Sequence, residues 1–245
     1  MIKDKKVLAI IPARAGSKGV EGKNYQPING QPLVEWSIQA ALKSEYIDMV
    51  IVTSNCSTVR QVCEAYTKQF GSKIGYLHRP HNLCEDDSST EDAISHALVK
   101  LAKKDLIMDY IVLLQPTSPI RTNRLIDNCL EQIYSRQKDT LVTVDKHTPF
   151  FWNYTEEEST PTYEPEQRPM RQDLNSSDFF WHENGNVYIT ETKSFVENKC
   201  RIGNNVTLYE TDRLQSMQID TPWDFKFMQA CLDVSGTKDL TGEYE

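Results

Sequence analysis

The sequence predicts an α/β fold, a Rossmann-like, mostly parallel sheet flanked by helices on both sides. Two observations predict it. Short β-rich runs alternate with helix-period runs from Val7 to Val144, and the run Tyr110–Leu114 is continuously apolar. Alternation of this kind builds βαβ units, and an unbroken apolar run suits a central parallel strand covered on both faces. Such sheets bind ligands at the carboxyl ends of their strands, so the loops there are the places to look for chemistry.

The elements follow in order. Val7–Ile11 is a strand that Pro12 ends, and Leu33–Leu42 is a helix with Leu33, Ser37, Ala40 and Ala41 on one side. Met49–Thr53 is the second strand. Ser57 or Thr58 caps the next helix, in which Val59, Val62, Cys63, Tyr66 and Phe70 recur at helical spacing. Ile74–Leu77 is a short third strand. Ser89 with Asp92 three residues later fits a capping box, opening a helix with Ile94, Ala97, Leu98 and Leu101 inward. After the central run, Thr122 starts a helix with Leu125, Ile126, Cys129, Leu130 and Ile133 facing the core, and Leu141–Val144 is a strand. Residues 147–182 break the pattern with Pro149, Pro161, Pro165 and Pro169, the acidic run 156–158 and many aromatics. A long irregular excursion in a compact domain is usually functional or meets a partner. Order returns with strand Asn186–Thr190. Thr221 as cap and Pro222 at the first helical position open a last helix through Cys231.

Composition narrows the function. The 245 residues carry a net charge of −8, which argues against a broad nucleic-acid-binding face. No apolar stretch is long enough to cross a bilayer. Lysines before Val7 and the Ala13-Arg14-Ala15 triplet resemble a secretion signal, but the apolar run is too short and Pro12 and Arg14 interrupt it. A cytoplasmic protein is therefore expected. The six cysteines form no CxxC pair and read as free thiols, and His78 and His81 lack a thiol pair to complete a zinc set.

The most informative segment is Ala13–Asn24. Gly16, Gly19 and Gly22 let the backbone bend and approach a ligand, Arg14, Lys18 and Lys23 bring positive charge, and Ser17 adds a hydroxyl. An amide-lined concavity ringed by cations is what a triphosphate needs. The P-loop spacing is absent, since Ser17 stands where its first glycine belongs, and the even glycine spacing excludes the dinucleotide fingerprint. Composition alone leaves a phosphate site and a solvated glycine–lysine turn both open.

A resemblance decides between them. Ile10-Ile11-Pro12-Ala13-Arg14-Ala15-Gly16-Ser17-Lys18-Gly19, then Gly22-Lys23-Asn24, is similar to the nucleotide loop of the acylneuraminate cytidylyltransferases, the CMP-sialic acid synthetase family. The resemblance continues in Arg79-Pro80, Asp86–Thr90, Leu113–Arg121, Arg171–Leu174, Glu183–Tyr188 and Ile219–Pro222, in family order along nearly the whole chain. It implies a nucleotide-diphospho-sugar transferase type of fold, with a single nucleotidyltransferase domain over 1–235 and a tail at 236–245. It implies a homodimer in which 147–182 is an extended dimerisation arm. The reaction implied joins CTP and an acidic nine-carbon sugar into a CMP-sugar and pyrophosphate, with Mg²⁺ as cofactor and no nucleic acid or membrane as partner.

Residue by residue, the resemblance assigns Arg14, Lys18, Lys23 and Asp220 to catalysis and Asp220 to the metal. It assigns Ala13, Arg14, Ser17, Asn24, Arg79, Ser88, Ser89 and Thr90 to the nucleotide, and Gln115 and Arg171 to the sugar. Three departures stand out. Gln218 replaces the first of two family aspartates, and an amide is a weaker ligand for a hard cation. Arg201-Ile202 stand where sialic-acid-specific relatives can carry aromatics, which points Arg201 at the sugar and the acceptor towards legionaminic, pseudaminic or another nonulosonic acid. Thr53-Ser54-Asn55 replaces the family's Ser-Thr-Asp. Transfer of another nucleotide, transfer onto a sugar phosphate, and a non-catalytic nucleotide-binding role are the alternatives.

Overall fold

Side chains that alternate in direction along buried strands decide where the core lies. In the computed structural model, which describes residues 2, 4–17, 19–122 and 124–239, the first strand β1 (Val7–Pro12) buries both faces. Val7, Ala9 and Ile11 point into one apolar cluster and Leu8 and Ile10 into the other. Strand side chains alternate, so a strand apolar on both faces must have a layer on each side.

After β1 come a small hairpin, β2 (Pro27–Ile28) and β3 (Gln31–Pro32), then α1 (Leu33–Lys43), β4 (Met49–Ser54), α2 (Ser57–Phe70) and β5 (Ile74–His78). There follow α3 (Thr90–Ala102), β6 (Tyr110–Leu113), α4 (Leu125–Ser135) and β7 (Thr140–His147). The excursion holds a second hairpin, β8 (Trp152–Tyr154) and β9 (Ser159–Pro161). The chain closes with β10 (Phe180–Glu191), α5 (Thr192–Asn198), β11 (Val206–Glu210) and α6 (Pro222–Asp239).

The sheet has seven strands in the order β11-β7-β10-β6-β1-β4-β5. All its pairs are parallel except those of β10, which runs antiparallel to both β6 and β7. Apolar residues of α1, α2 and α4 cover one face, and Ile94, Ala97 and Leu101 of α3 the other. Ser89 caps α3 with the expected reciprocal bonds: its hydroxyl accepts from the Asp92 N–H at 3.0 Å, and its own N–H donates to the Asp92 carboxylate at 3.1 Å. A cap of this kind contributes about 1 kcal/mol.

The structure differs from the expectation in several places. Neither Ser57 nor Thr58 caps α2: the helix starts at Ser57 after Cys56, and among the described residues no side chain accepts from its first N–H groups. β10 begins at Phe180 rather than Asn186, and the β2–β3 hairpin was not expected. The helix expected from Thr122 starts at Leu125, because Arg124 adopts a left-handed φ of 64° ahead of it. The last helix continues past Cys231 to Asp239, so part of the expected tail is helical, while 240–245 lie outside the described residues. β11 and α5 were not foreseen. The excursion is less irregular than its prolines suggest, since it carries the β8–β9 hairpin and three short 3-10 turns.

Candidate active site

The topology itself makes a crevice. The chain leaves β1 towards β4 on one side and later returns to β6 on β1's other side. Loops from the carboxyl ends of β1 and β6 therefore diverge, and ligands lodge at such switch points. The cavity there, about 260 Å³, is lined by Arg14, Ser17, Lys23 and Asn24 from the first loop. Arg79, Ser88, Ser89 and Thr90 come from the segment after β5, and Gln115 and Thr117 from the loop after β6. Most of the residues named from the sequence for nucleotide and catalysis thus meet in one place. Lys18 lies outside the described residues.

The first loop is fixed from behind by the end of β4. Ala13, buried, donates its N–H to the Thr53 carbonyl at 3.0 Å, and the Ser54 hydroxyl donates to the Ala13 carbonyl at 2.5 Å. The Ala15 N–H donates to the Asn55 side-chain oxygen at 2.8 Å. Asn55, a residue that the sequence reading left without a role, is therefore a loop anchor, and Thr53-Ser54-Asn55 acquires a consequence. Asn24 is buried and donates its amide to the Arg14 carbonyl at 2.9 Å, closing the loop on itself. Two glycines are sterically required. A Cβ on Gly19 would run into the Asp220 carbonyl, and Gly22 sits at φ 62° against the Tyr25 ring.

The cations are held largely by neutral oxygens. Arg14 donates to the Cys84 and Glu85 carbonyls at 3.2 and 2.6 Å and also meets the exposed Asp86 carboxylate at 3.1 Å. Lys23, buried, donates to the Ile219 carbonyl at 2.6 Å and to Asp220 at 3.2 Å. Arg79 is only 5% exposed and donates to the Thr53 carbonyl at 2.8 Å and to its hydroxyl at 3.3 Å. Among the described residues no carboxylate pairs with it. Burial pulls its pKa below the ordinary arginine value. A buried cation without a counter-charge costs free energy that an incoming phosphate or carboxylate can offset.

The opposite wall is set by a buried polar network. Gly185, at φ 69°, makes the irregularity in β10, and a Cβ there would crowd the amides of Gln115 and Gln218. On either side of it, Asn184 donates to Thr211 at 2.7 Å, and Asn186 donates to the Ile120 and Gln215 carbonyls at 2.9 and 2.7 Å. Arg121 ties the Gln115 and Asn186 carbonyls together at 2.9 and 2.8 Å, and burial pushes its pKa down to about 9. It holds Gln115 in place from behind. The Ile219 N–H donates to the Thr117 carbonyl at 2.8 Å, which brings Asp220 beside Lys23. Thr221 caps α6 as expected, in a reciprocal pair with Asp224.

Asp220 is 66% exposed at its side chain. An open carboxylate beside Lys23 at the edge of the cavity fits Mg²⁺, which takes one or two carboxylates and completes its shell with substrate phosphates and water.

The residues named for the sugar scatter. Gln115 lines the cavity. Arg201 instead forms a two-pronged pair with Glu91, at 2.7 and 3.1 Å, and lies over the Tyr188 ring. Burial alone would raise the Glu91 pKa, but the hydrogen bond and charge of Arg201 overcome this and hold it below the usual carboxylate range. Arg171 is exposed in a 3-10 turn of the excursion, away from its own chain's cavity lining. A second cavity of about 190 Å³ lies between α1 and α4 and shares no residue with the first.

Comparison with known proteins fits this geometry. The sequence profile of the family described as cytidylyltransferase matches residues 8–195. The chain is 29% identical over 235 residues to the CMP-N,N'-diacetyllegionaminic acid synthase of Legionella pneumophila, covering 94% of this chain and 97% of that protein. It is 30% identical over 240 residues to an N-acylneuraminate cytidylyltransferase of Escherichia coli, covering 90% of this chain but 51% of that protein, so the chain spans about half its length. A crystal structure of 4-diphosphocytidyl-2C-methyl-D-erythritol synthase superposes with a TM-score of 0.69 at 13% identity, over 94% of this chain and 99% of the other, a likeness of fold.

Proposed function

Because the chain belongs to the cytidylyltransferase family, we propose that it transfers CMP from CTP onto the anomeric hydroxyl of a nonulosonic acid and releases pyrophosphate. The observation that carries this reading is the crevice at the sheet's switch point, ringed by Arg14, Lys23 and Arg79, with Arg79 buried and held by neutral oxygens. The acceptor class rests on the relatives that act on legionaminic and neuraminic acids.

The hydroxyl oxygen attacks the α-phosphorus as its proton passes to solvent, the bond to the bridging oxygen breaks, and the electron pair leaves with pyrophosphate. Two anions must meet and charge builds on the leaving group, so preorganised cations supply most of the acceleration. Lys23 and Arg14 would meet the phosphates, and Ser17 and the loop amides would hydrogen-bond to them. Arg79 with Ser88, Ser89 and Thr90 would hold the nucleoside end, and Gln115 the sugar. Asp220 would hold Mg²⁺, which when bound neutralises phosphate charge and lowers the pKa of a coordinated hydroxyl. Lys23, hydrogen-bonded to Asp220, orients that carboxylate.

The same reading makes the chain a homodimer. The exposed aromatics Phe151, Trp152, Tyr154, Phe180 and Trp181 supply an apolar face for a second copy, and Arg171 would reach the neighbour's sugar site. A cytoplasmic location goes with it, since CTP is made there. Among the described residues no helix is long and apolar enough to cross a membrane.

Pyrophosphate release tests the proposal, with CTP offered against a panel of nonulosonic acids and then each other nucleoside triphosphate in its place. Release with CTP and at least one such acid is expected. Release only with GTP, or tight CTP binding without release for any acceptor, would refute it.

A further inference from the structure

At the foot of the excursion, away from the cavity lining, three side chains converge on one face of the β7–β10 ribbon. Asp145 and His147 are two residues apart on β7 and so point the same way. His182 on β10 is paired directly opposite Asp145. The Asp145 carboxylate meets His147 Nε2 at 2.6 Å and His182 Nδ1 at 3.0 Å, and the two imidazoles lie edge to face at 5.5 Å. One ligand atom from each residue lies within 4.8 Å of the other two. Phe151 backs the His147 ring at 5.9 Å. The one lysine in this stretch is turned to the other face, where Lys146 sits 3.9 Å over the Phe179 ring. His182 thus has two partners across the ladder, the Asp145 carboxylate and the His147 ring.

We propose that Asp145, His147 and His182 form a binding site for a borderline divalent transition metal, with Zn²⁺ the best match. Two imidazole nitrogens and one carboxylate oxygen are a donor set that zinc takes readily, whereas magnesium prefers all-oxygen shells. The ring nitrogens that now hydrogen-bond to Asp145 give up their protons to coordinate, and each neutral ring keeps a proton on its other nitrogen. Asp145 is held on the ladder at 16% side-chain exposure, while His147 and His182 are 43% and 62% exposed, so solvent can supply the remaining coordination position. The three ligands belong to rigid strands, and a metal there ties β7 to β10 where the excursion begins and ends. The site shares no residue with the nucleotide cavity.

The test uses the full chain, stripped with a chelator and titrated with zinc chloride by calorimetry and with Co²⁺ by visible absorption. One ion per chain is expected, with a four-coordinate cobalt spectrum free of thiolate charge transfer. His147→Ala and His182→Ala should each weaken binding by at least the roughly tenfold that loss of a mere supporting contact costs, and the double variant should abolish it. Both histidines are at the surface, so the variants should fold, which circular dichroism checks. Absence of saturable binding, unchanged binding in the double variant, or a cobalt–thiolate band would overturn the proposal.

Discussion

The crevice at the sheet's switch point and the excursion at 147–182 are built on opposite plans. In the crevice the cations and the loop backbone are fixed by partners distant in sequence. Lys23 is held by Ile219 and Asp220, Arg79 by Thr53, Ala15 by Asn55, and Gln115 by Arg121. In the excursion, the contacts stay largely within the segment, such as Arg168 with Tyr163 and Phe150, and large apolar side chains stay exposed. The crevice is organised by its own fold before a ligand arrives, so it can lower a barrier without reorganising. The excursion leaves an apolar face exposed, the face proposed to meet a second copy.

Breaking the crevice should therefore cost turnover, and breaking the excursion should cost assembly. The largest effect apart from the metal ligand is expected for Lys23→Ala, a fall in kcat of roughly 10²-fold with KM changed much less; steady-state pyrophosphate release measures both. Asn55→Ala removes the acceptor behind the Ala15 N–H without touching any cation. It should lower kcat/KM about tenfold, equivalent to a lost hydrogen bond of ~1.4 kcal/mol, and an unchanged value would mean that the loop needs no anchor from β4.

The Glu91–Arg201 pair sharpens the contrast on the stability side. The folded Glu91 pKa is depressed, so the pair stabilises the fold above the ordinary carboxylate pKa, and the contribution is lost as pH falls through the folded value. Glu91→Gln should cost about 1–2 kcal/mol at neutral pH and flatten the acid limb of stability against pH in denaturant titrations. The smallest effect on the folded chain belongs to Trp152→Ser. That side chain is 57% exposed, so unfolding should shift by no more than ~0.5 kcal/mol, while sedimentation should move from dimer towards monomer. Retained dimer mass would remove the excursion from the interface.

What the sequence revealed and what it hid divide along the same line. Most strands of the main sheet and the bend of the first loop were legible because apolar period and glycine spacing are local signals, whereas the phosphate role proposed for that loop came only from the resemblance. The capping pairs Ser89/Asp92 and Thr221/Asp224 span three residues and were equally readable, the second through Thr221 alone. Asn55 as anchor, Arg121 as the support behind Gln115, and Arg201 in the grip of Glu91 all depend on contacts across the chain, and no local pattern announces them. β11 was missed because only Thr207 of its residues is buried, so it reads as polar loop. The start of α4 was misplaced because Arg124 takes a left-handed turn that its residue type does not foretell.

The central claim is that the cations of the first loop, together with a metal carried by Asp220, neutralise the departing pyrophosphate. Its most direct test is pyrophosphate release by Asp220→Asn, an isosteric change at an exposed side chain, measured over a wide range of magnesium concentrations with CTP and an accepted nonulosonic acid. The account predicts no turnover at any magnesium concentration while the variant remains folded; turnover at the wild-type rate would contradict it.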